Sequence, residues 1–138
     1  MTVDPELLAE RSASVLAHLD RVATALPDDP DDLRPMSSAT DTVILHLWQA
    51  IQIVIDLAMS ASVRLGSGTP PTYGDAFRLL AASDVLDSAL AERLARAAAF
   101  RNLIVHAYGK LDLARVHAIA ASGPTDLRAF LVVLRDRG

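Results

Sequence analysis

Along most of this chain apolar residues return every three to four positions with polar residues between them, the period of α-helices that seat one face on a core. From Asp4 to Leu26 the apolar stripe is Leu8, Val15, Leu19, Val22 and Leu26, opened by Asp4 as N-cap and Pro5 at the first helical position. Pro27-Asp28-Asp29-Pro30-Asp31-Asp32 interrupts the pattern. It lacks the glycine and the spaced ligands of a calcium loop and reads as a solvated connection. A second helix, Ser38 to Leu65, would run about 40 Å at ~1.5 Å per residue. Its polar positions Thr42, His46, Gln49, Gln52, Asp56, Ser60 and Arg64 share one arc of about 120°, and most of the remaining circumference is Val, Ile, Leu, Ala or Trp48. Such a helix needs cover on several sides, from its own bundle or from a second copy of itself. Gly66 to Pro71 ends it. A third helix is expected over Tyr73 to Ala82, a fourth over Ser88 to Ala107, a fifth over Asp112 to Ala121, and a last over Pro124 to Arg135 after a break at Ser122-Gly123. The architecture this implies is all-α, an antiparallel four-helix bundle with one or two short extra helices, residues 1–138 forming one domain.

Composition narrows the chemistry. With no cysteine there is no disulfide framework, thiolate zinc site or cysteine nucleophile, and a reducing cytoplasm is the expected compartment. Met1 to Glu6 offers no basic or apolar leader. Hydrophobic residues reach 51% and mean hydropathy is +0.29, yet the apolar run from Val43 to Leu65 is punctuated by His46, Gln49, Gln52, Asp56 and Arg64. A net charge of -4 argues against coating nucleic acid by bulk charge, but the distribution is uneven. Residues 1–41 carry nine acids and three arginines, whereas residues 93–115 carry Arg93, Arg96, Arg101, Lys110 and Arg115 against Asp112 alone. There is no phosphate-binding glycine loop, zinc ligand set or catalytic carboxylate pair, and no cofactor is called for.

The basic stretch contains Arg101-Asn102-Leu103-Ile104-Val105-His106-Ala107-Tyr108, which puts a fixed cation, a carboxamide, an imidazole and a phenol at the end of an apolar helix. On a helical wheel Arg101, Val105 and Tyr108 continue the stripe of Leu90, Leu94 and Ala97, with Asn102 and His106 on the adjoining edge. A lone cation there is costly to bury, so Arg101 should meet an anion or open onto a cleft made with another subunit. Gly109 then lets the chain leave the helix. These groups suit metal-free RNA cleavage by the substrate's own 2′-hydroxyl. The imidazole of His106 can take up or give a proton, Arg101 presents a charged fork to phosphate oxygens, and Asn102 can orient the phosphate or the imidazole. Geometry alone equally allows a helix end with an arginine ion pair and a capping histidine.

Phe100-Arg101-Asn102-Leu103-Ile104-Val105-His106-Ala107-Tyr108, followed by Asp112, resembles the motif of the HepT-like branch of the HEPN superfamily. The similarity runs from Ala50 to Ala58 in the second helix, through Pro71 to Leu80, to the last helix. The resemblance implies a metal-independent endoribonuclease, an Arg and a His defining its site, built as a helical homodimer whose two motifs face each other across a cleft. It also implies a toxin, encoded beside a minimal nucleotidyltransferase antitoxin of the MntA type that transfers AMP from ATP to a motif tyrosine, here Tyr108. AMP on Tyr108 would put a negative phosphodiester and a bulky base where RNA approaches Arg101. Val105 suits a subunit contact. A second reading stays open: a non-catalytic HEPN module that binds nucleotide or docks a nucleotidyltransferase. Elsewhere, His18 and His117 read as structural, Trp48 as a packing residue, and His46 and Asp56 as surface groups that can also serve the cleft.

Overall fold

The computed structural model describes residues 3–66 and 68–137. Five α-helices follow one another: α1 (Pro5–Ala25), α2 (Ser38–Arg64), α3 (Tyr73–Ala82), α4 (Ser88–Ala107) and α5 (Leu113–Arg137), with 3-10 turns at Pro30–Asp32 and Tyr108–Lys110. No strand occurs among the described residues.

Each helix starts at a residue whose side chain satisfies the free N–H groups of the first turn. Asp4 accepts from Glu6 N at 2.8 Å, Ser37 from Thr40 N at 3.2 Å, Thr72 from Asp75 N at 3.1 Å, Asp87 from Leu90 N at 3.2 Å and Asp112 from Ala114 N at 3.0 Å. Helix α2 ends on Gly66, whose φ of 76° is the left-handed conformation that favours glycine.

Helix α2 is the one element that packs against all four other helices. By composition and length it could cross a membrane, but Val43, Leu47, Ile51, Val54 and Ile55 are buried in the bundle. Four helices of the same chain cover most of its apolar positions, and Leu45 and Val63 are left exposed. Ser62 is buried on α2 and donates to Ala58 O and, at 3.2 Å, to Ala76 O, which ties α2 to α3. Phe77 of α3 meets Phe130 of α5 edge to face, ring centroids 5.5 Å apart.

The last two helices expected from the sequence are one. Helix α5 continues through Ser122-Gly123 with Pro124 inside it. The pattern already contained the reason: Val116 and Leu127 are separated by a whole number of turns to within about 20°, so a single stripe of Val116, Ala120, Leu127, Leu131 and Leu134 keeps its phase across the proline. A mid-helix proline costs about 3 kcal/mol. Burying several Leu and Phe side chains at roughly 1.5–3 kcal/mol each outweighs it.

The polar clusters outside the motif are absorbed by the fold. His117 Nε2 lies 2.7 Å from Pro27 O and pins α5 to the acidic connection. Within that connection Asp29 caps the turn by accepting from Asp31 N. His18 and His46 join α1 to α2 through their Nδ1 atoms, 2.9 Å apart.

Candidate functional site

The second half of α4 is positioned by two buried residues, Phe100 and Ile104, which hold one side of the helix on the core. That registration turns Arg101 toward α2 and α3 and leaves Asn102, Leu103, Val105 and His106 exposed. Arg101 Nε donates to Gln52 Oε1 at 2.6 Å, and its Nη1 donates to Asn102 Oδ1 at 3.0 Å. The guanidinium carbon lies 5.4 Å from the centre of the Tyr73 ring, a cation–π contact from the start of α3. Gln52 is itself held, its Nε2 donating to Asp56 Oδ1 at 3.0 Å.

Of the two surroundings expected for Arg101, an anion partner or an opening onto a cleft, the first is absent: none of the ion pairs among the described residues includes Arg101. A carboxamide from α2, a carboxamide from α4 and an aromatic face fix the fork while leaving its charge uncompensated at contact distance. That is the state in which a guanidinium binds a phosphate best. Asp56 reaches Arg101 only through Gln52. Of the residues flagged on the polar arc of α2, Gln52 and Asp56 therefore join the motif. His46 does not, since it is paired with His18 on the α1 side.

His106 stands exposed in the last turn of α4. Five positions from Arg101, it points about 140° away from it around the helix axis. On the helical wheel the two groups therefore occupy different faces of α4.

Tyr108 departs from the wheel. The helix breaks at Ala107, whose φ of -143° and ψ of 35° are non-helical, and Tyr108 opens a 3-10 turn. The break precedes Gly109, which is not among the described positive-φ residues. Instead of continuing the stripe of α4, the Tyr108 hydroxyl donates to Asp41 Oδ1, 2.8 Å away in the first turn of α2. That hydrogen bond, with partial burial, pushes the phenol above its usual ionisation range. Beside the pair a groove of about 510 Å³ runs between α2 and α4, walled by Ile44, Leu45, Trp48, Ile104 and Val105. Leu45 and Val105 are each 46% exposed and Tyr108 is 50% exposed, so this apolar strip is uncovered in the single chain.

Neither Asp41 nor Tyr73 stood out in the sequence. Asp41 shares a face of α2 with Leu45, Trp48 and Gln52, spaced four, three and four apart. Nothing local marks that face as the one opposite α4. The other arginines of the basic stretch lie elsewhere: Arg93, Arg96 and Arg115 line a separate hollow between α4 and α5, where Arg93 pairs with Asp126. No group of metal-ligating side chains is found among the described residues.

Comparison with known proteins places this arrangement. The family described as "Ribonuclease HepT-like" matches residues 15–134. An mRNA nuclease HepT of Shewanella oneidensis is 30% identical over 95 residues, 69% of this chain and 71% of that protein. Among solved structures, a tri-AMPylated Shewanella oneidensis HEPN toxin in complex with an MNT antitoxin superposes with a TM-score of 0.84 at 24% identity, covering 94% of this chain and 97% of that one. A toxin–antitoxin crystal structure with AMP-PNP gives a TM-score of 0.86 at 23% identity, covering 95% and 98%. The structural likenesses carry the fold, and the sequence match, which spans the bundle from α1 to the last turn of α5, carries the descent: this chain belongs to the HepT-like ribonuclease family.

Proposed function

We propose that the chain is the RNase toxin of a toxin–antitoxin pair, cleaving RNA without a metal at a composite site made by two copies of itself. The observation that carries this reading is Arg101, fixed by neutral partners with its charge left unspent, on the same helix end as an exposed imidazole. A relative named mRNA nuclease HepT supports RNA as the substrate.

In this mechanism His106 takes the proton of the 2′-hydroxyl as it attacks the adjacent phosphorus, or returns a proton to the leaving 5′-oxygen. Arg101 meets the charge that grows on the phosphorane oxygens, with Asn102 and Gln52 setting the plane of its fork. The 140° between Arg101 and His106 is the reason for the second copy: the imidazole of one protomer would work against the guanidinium of its partner. Exposed Leu45 and Val105 provide an apolar surface next to the site for that contact.

Control would come from a nucleotidyltransferase partner that attaches AMP to Tyr108. The AMPylated toxin in complex with an MNT antitoxin, seen for a protein of the same fold, supports that regulation. The single-domain extent over residues 1–138 and a cytoplasmic site of action belong to the same proposal.

The test is cleavage of a defined RNA in EDTA. Wild type should leave 2′,3′-cyclic phosphate or 3′-phosphate ends, and Arg101→Ala and His106→Ala should each lose about a hundredfold or more of the rate with helicity unchanged. Binding of RNA or nucleotide with no cleavage by wild type would instead favour the non-catalytic module.

A further inference from the structure

A phenol is a poor nucleophile near neutral pH because it keeps its proton, and the hydrogen bond to Asp41 makes Tyr108 keep it more firmly. A partner that delivers a nucleoside triphosphate therefore still faces a proton problem at the acceptor. Asp41 sits where that problem is solved. It lies in the first turn of α2. Its Oδ1 accepts from the Tyr108 hydroxyl at 2.8 Å, across a separation of 67 residues. The other residues around the groove, Ile44, Leu45, Trp48, Ile104 and Val105, carry no titratable group. Tyr108 is half exposed, so a partner can reach the residue.

We infer that Asp41 is a catalytic residue of the modification reaction, the base that this chain itself supplies to Tyr108. The inference rests on Tyr108 being the AMP acceptor. Tyr108 Oη attacks the α-phosphorus of a nucleoside triphosphate held by the nucleotidyltransferase. The Oη–P bond forms, the bond from that phosphorus to the bridging oxygen breaks, and pyrophosphate leaves with the electron pair. The phenolic proton passes to Asp41 Oδ1 and from there to water. In the resting state the hydrogen bond holds the phenol neutral, so Asp41 acts only as the new bond develops. The toxin would then be more than a passive target: its own fold, by bringing the start of α2 to the end of α4, prepares the acceptor for its neutralisation.

The experiment follows intact mass against time for wild type, Asp41→Asn, Asp41→Ala and Tyr108→Phe, each incubated with an MntA-type nucleotidyltransferase antitoxin, magnesium and ATP. Asparagine keeps an oxygen that accepts the Tyr108 hydrogen bond but takes no proton. Asp41→Asn should therefore gain AMP about a hundredfold more slowly near pH 7, with the deficit shrinking toward about pH 9 as the phenol ionises unaided. Added formate should restore part of the rate to Asp41→Ala and none to Tyr108→Phe. Thermal melts of the variants in parallel separate loss of a base from loss of fold. Asp41→Asn modified at the wild-type rate, or slowed equally at every pH with no formate rescue, would overturn the role of Asp41 while leaving Tyr108 as acceptor. Tyr108→Phe gaining AMP as wild type does would overturn the acceptor assignment and the Asp41 proposal with it.

Discussion

In the first turns of α4, Glu92 meets Arg78 at 2.9 Å and Arg93 meets Asp126 at 3.0 Å. In its last turns, Arg101 meets Gln52, Asn102 and the Tyr73 ring, and no carboxylate. The same residue type on the same helix is neutralised at one end and only oriented at the other. An arginine that ties helices together is well served by a carboxylate. One that must bind an incoming phosphate is poorly served by it, because the carboxylate would have to be displaced first. The apolar surface divides the same way. The first half of α4 presents charged side chains to solvent, whereas the second half exposes Leu103 and Val105.

Four substitutions probe this contrast. Arg101→Ala removes the oriented charge itself and should cost about a hundredfold or more in RNA cleavage. Gln52→Leu leaves Arg101 in place but removes the oxygen that aims it, so cleavage should fall by roughly tenfold, about 1.4 kcal/mol, with the melting temperature little changed. A drop as large as that of Arg101→Ala would mean that Gln52 touches RNA.

The His18–His46 bridge, remote from the motif, should matter to stability instead. One ring must donate and the other accept, so the bridge fails when both are protonated. Burial, then His46 and Arg21, hold His18 below the ordinary imidazole value of 6.5. The unfolded chain therefore takes up the proton first as pH falls. The stabilisation is complete above about pH 6.5 and is lost progressively below it. Denaturant midpoints at pH 7 and pH 5 should show this drop in wild type and a smaller one in His18→Asn. Equal drops would remove His18 as its source.

The smallest effect belongs to the charged end. Glu92→Gln breaks an exposed ion pair in which Arg78 holds the carboxyl below its ordinary range, and Arg78 keeps Asp75 as a second partner. Melting temperature and RNA cleavage should both stay close to wild type. A loss of cleavage there would extend the site along the whole of α4.

Much of this fold was legible in the pattern. Asp4 marked the start of the first helix as its cap, and the starts expected at Ser38, Tyr73 and Ser88 are those observed, each preceded by a capping side chain, a local signal. Pro124 and Gly123 misled for the opposite reason: a local breaker was overruled by a stripe that stays in phase across it. The motif residues Arg101, Asn102, His106 and Tyr108 were visible as a run, but their partners were not. Gln52 is 49 residues from Arg101 and Asp41 is 67 from Tyr108. Periodicity gives the face a residue occupies on its own helix and is silent on which helix that face meets. The end of α4 at Ala107 was expected, but not the turn there that redirects Tyr108 from the α4 stripe to α2.

The central claim, a site shared between two copies, is tested most directly by mixing two inactive chains. Arg101→Ala and His106→Ala are unfolded together, refolded as a mixture and assayed on RNA in EDTA. A mixed dimer holds one site with an intact guanidinium from one protomer and an intact imidazole from the other. Cleavage should therefore reappear in the mixture, well above either variant refolded alone. Mixed dimers that form, as shown by native mass, yet remain as inactive as the separate variants would contradict a site built across the two chains.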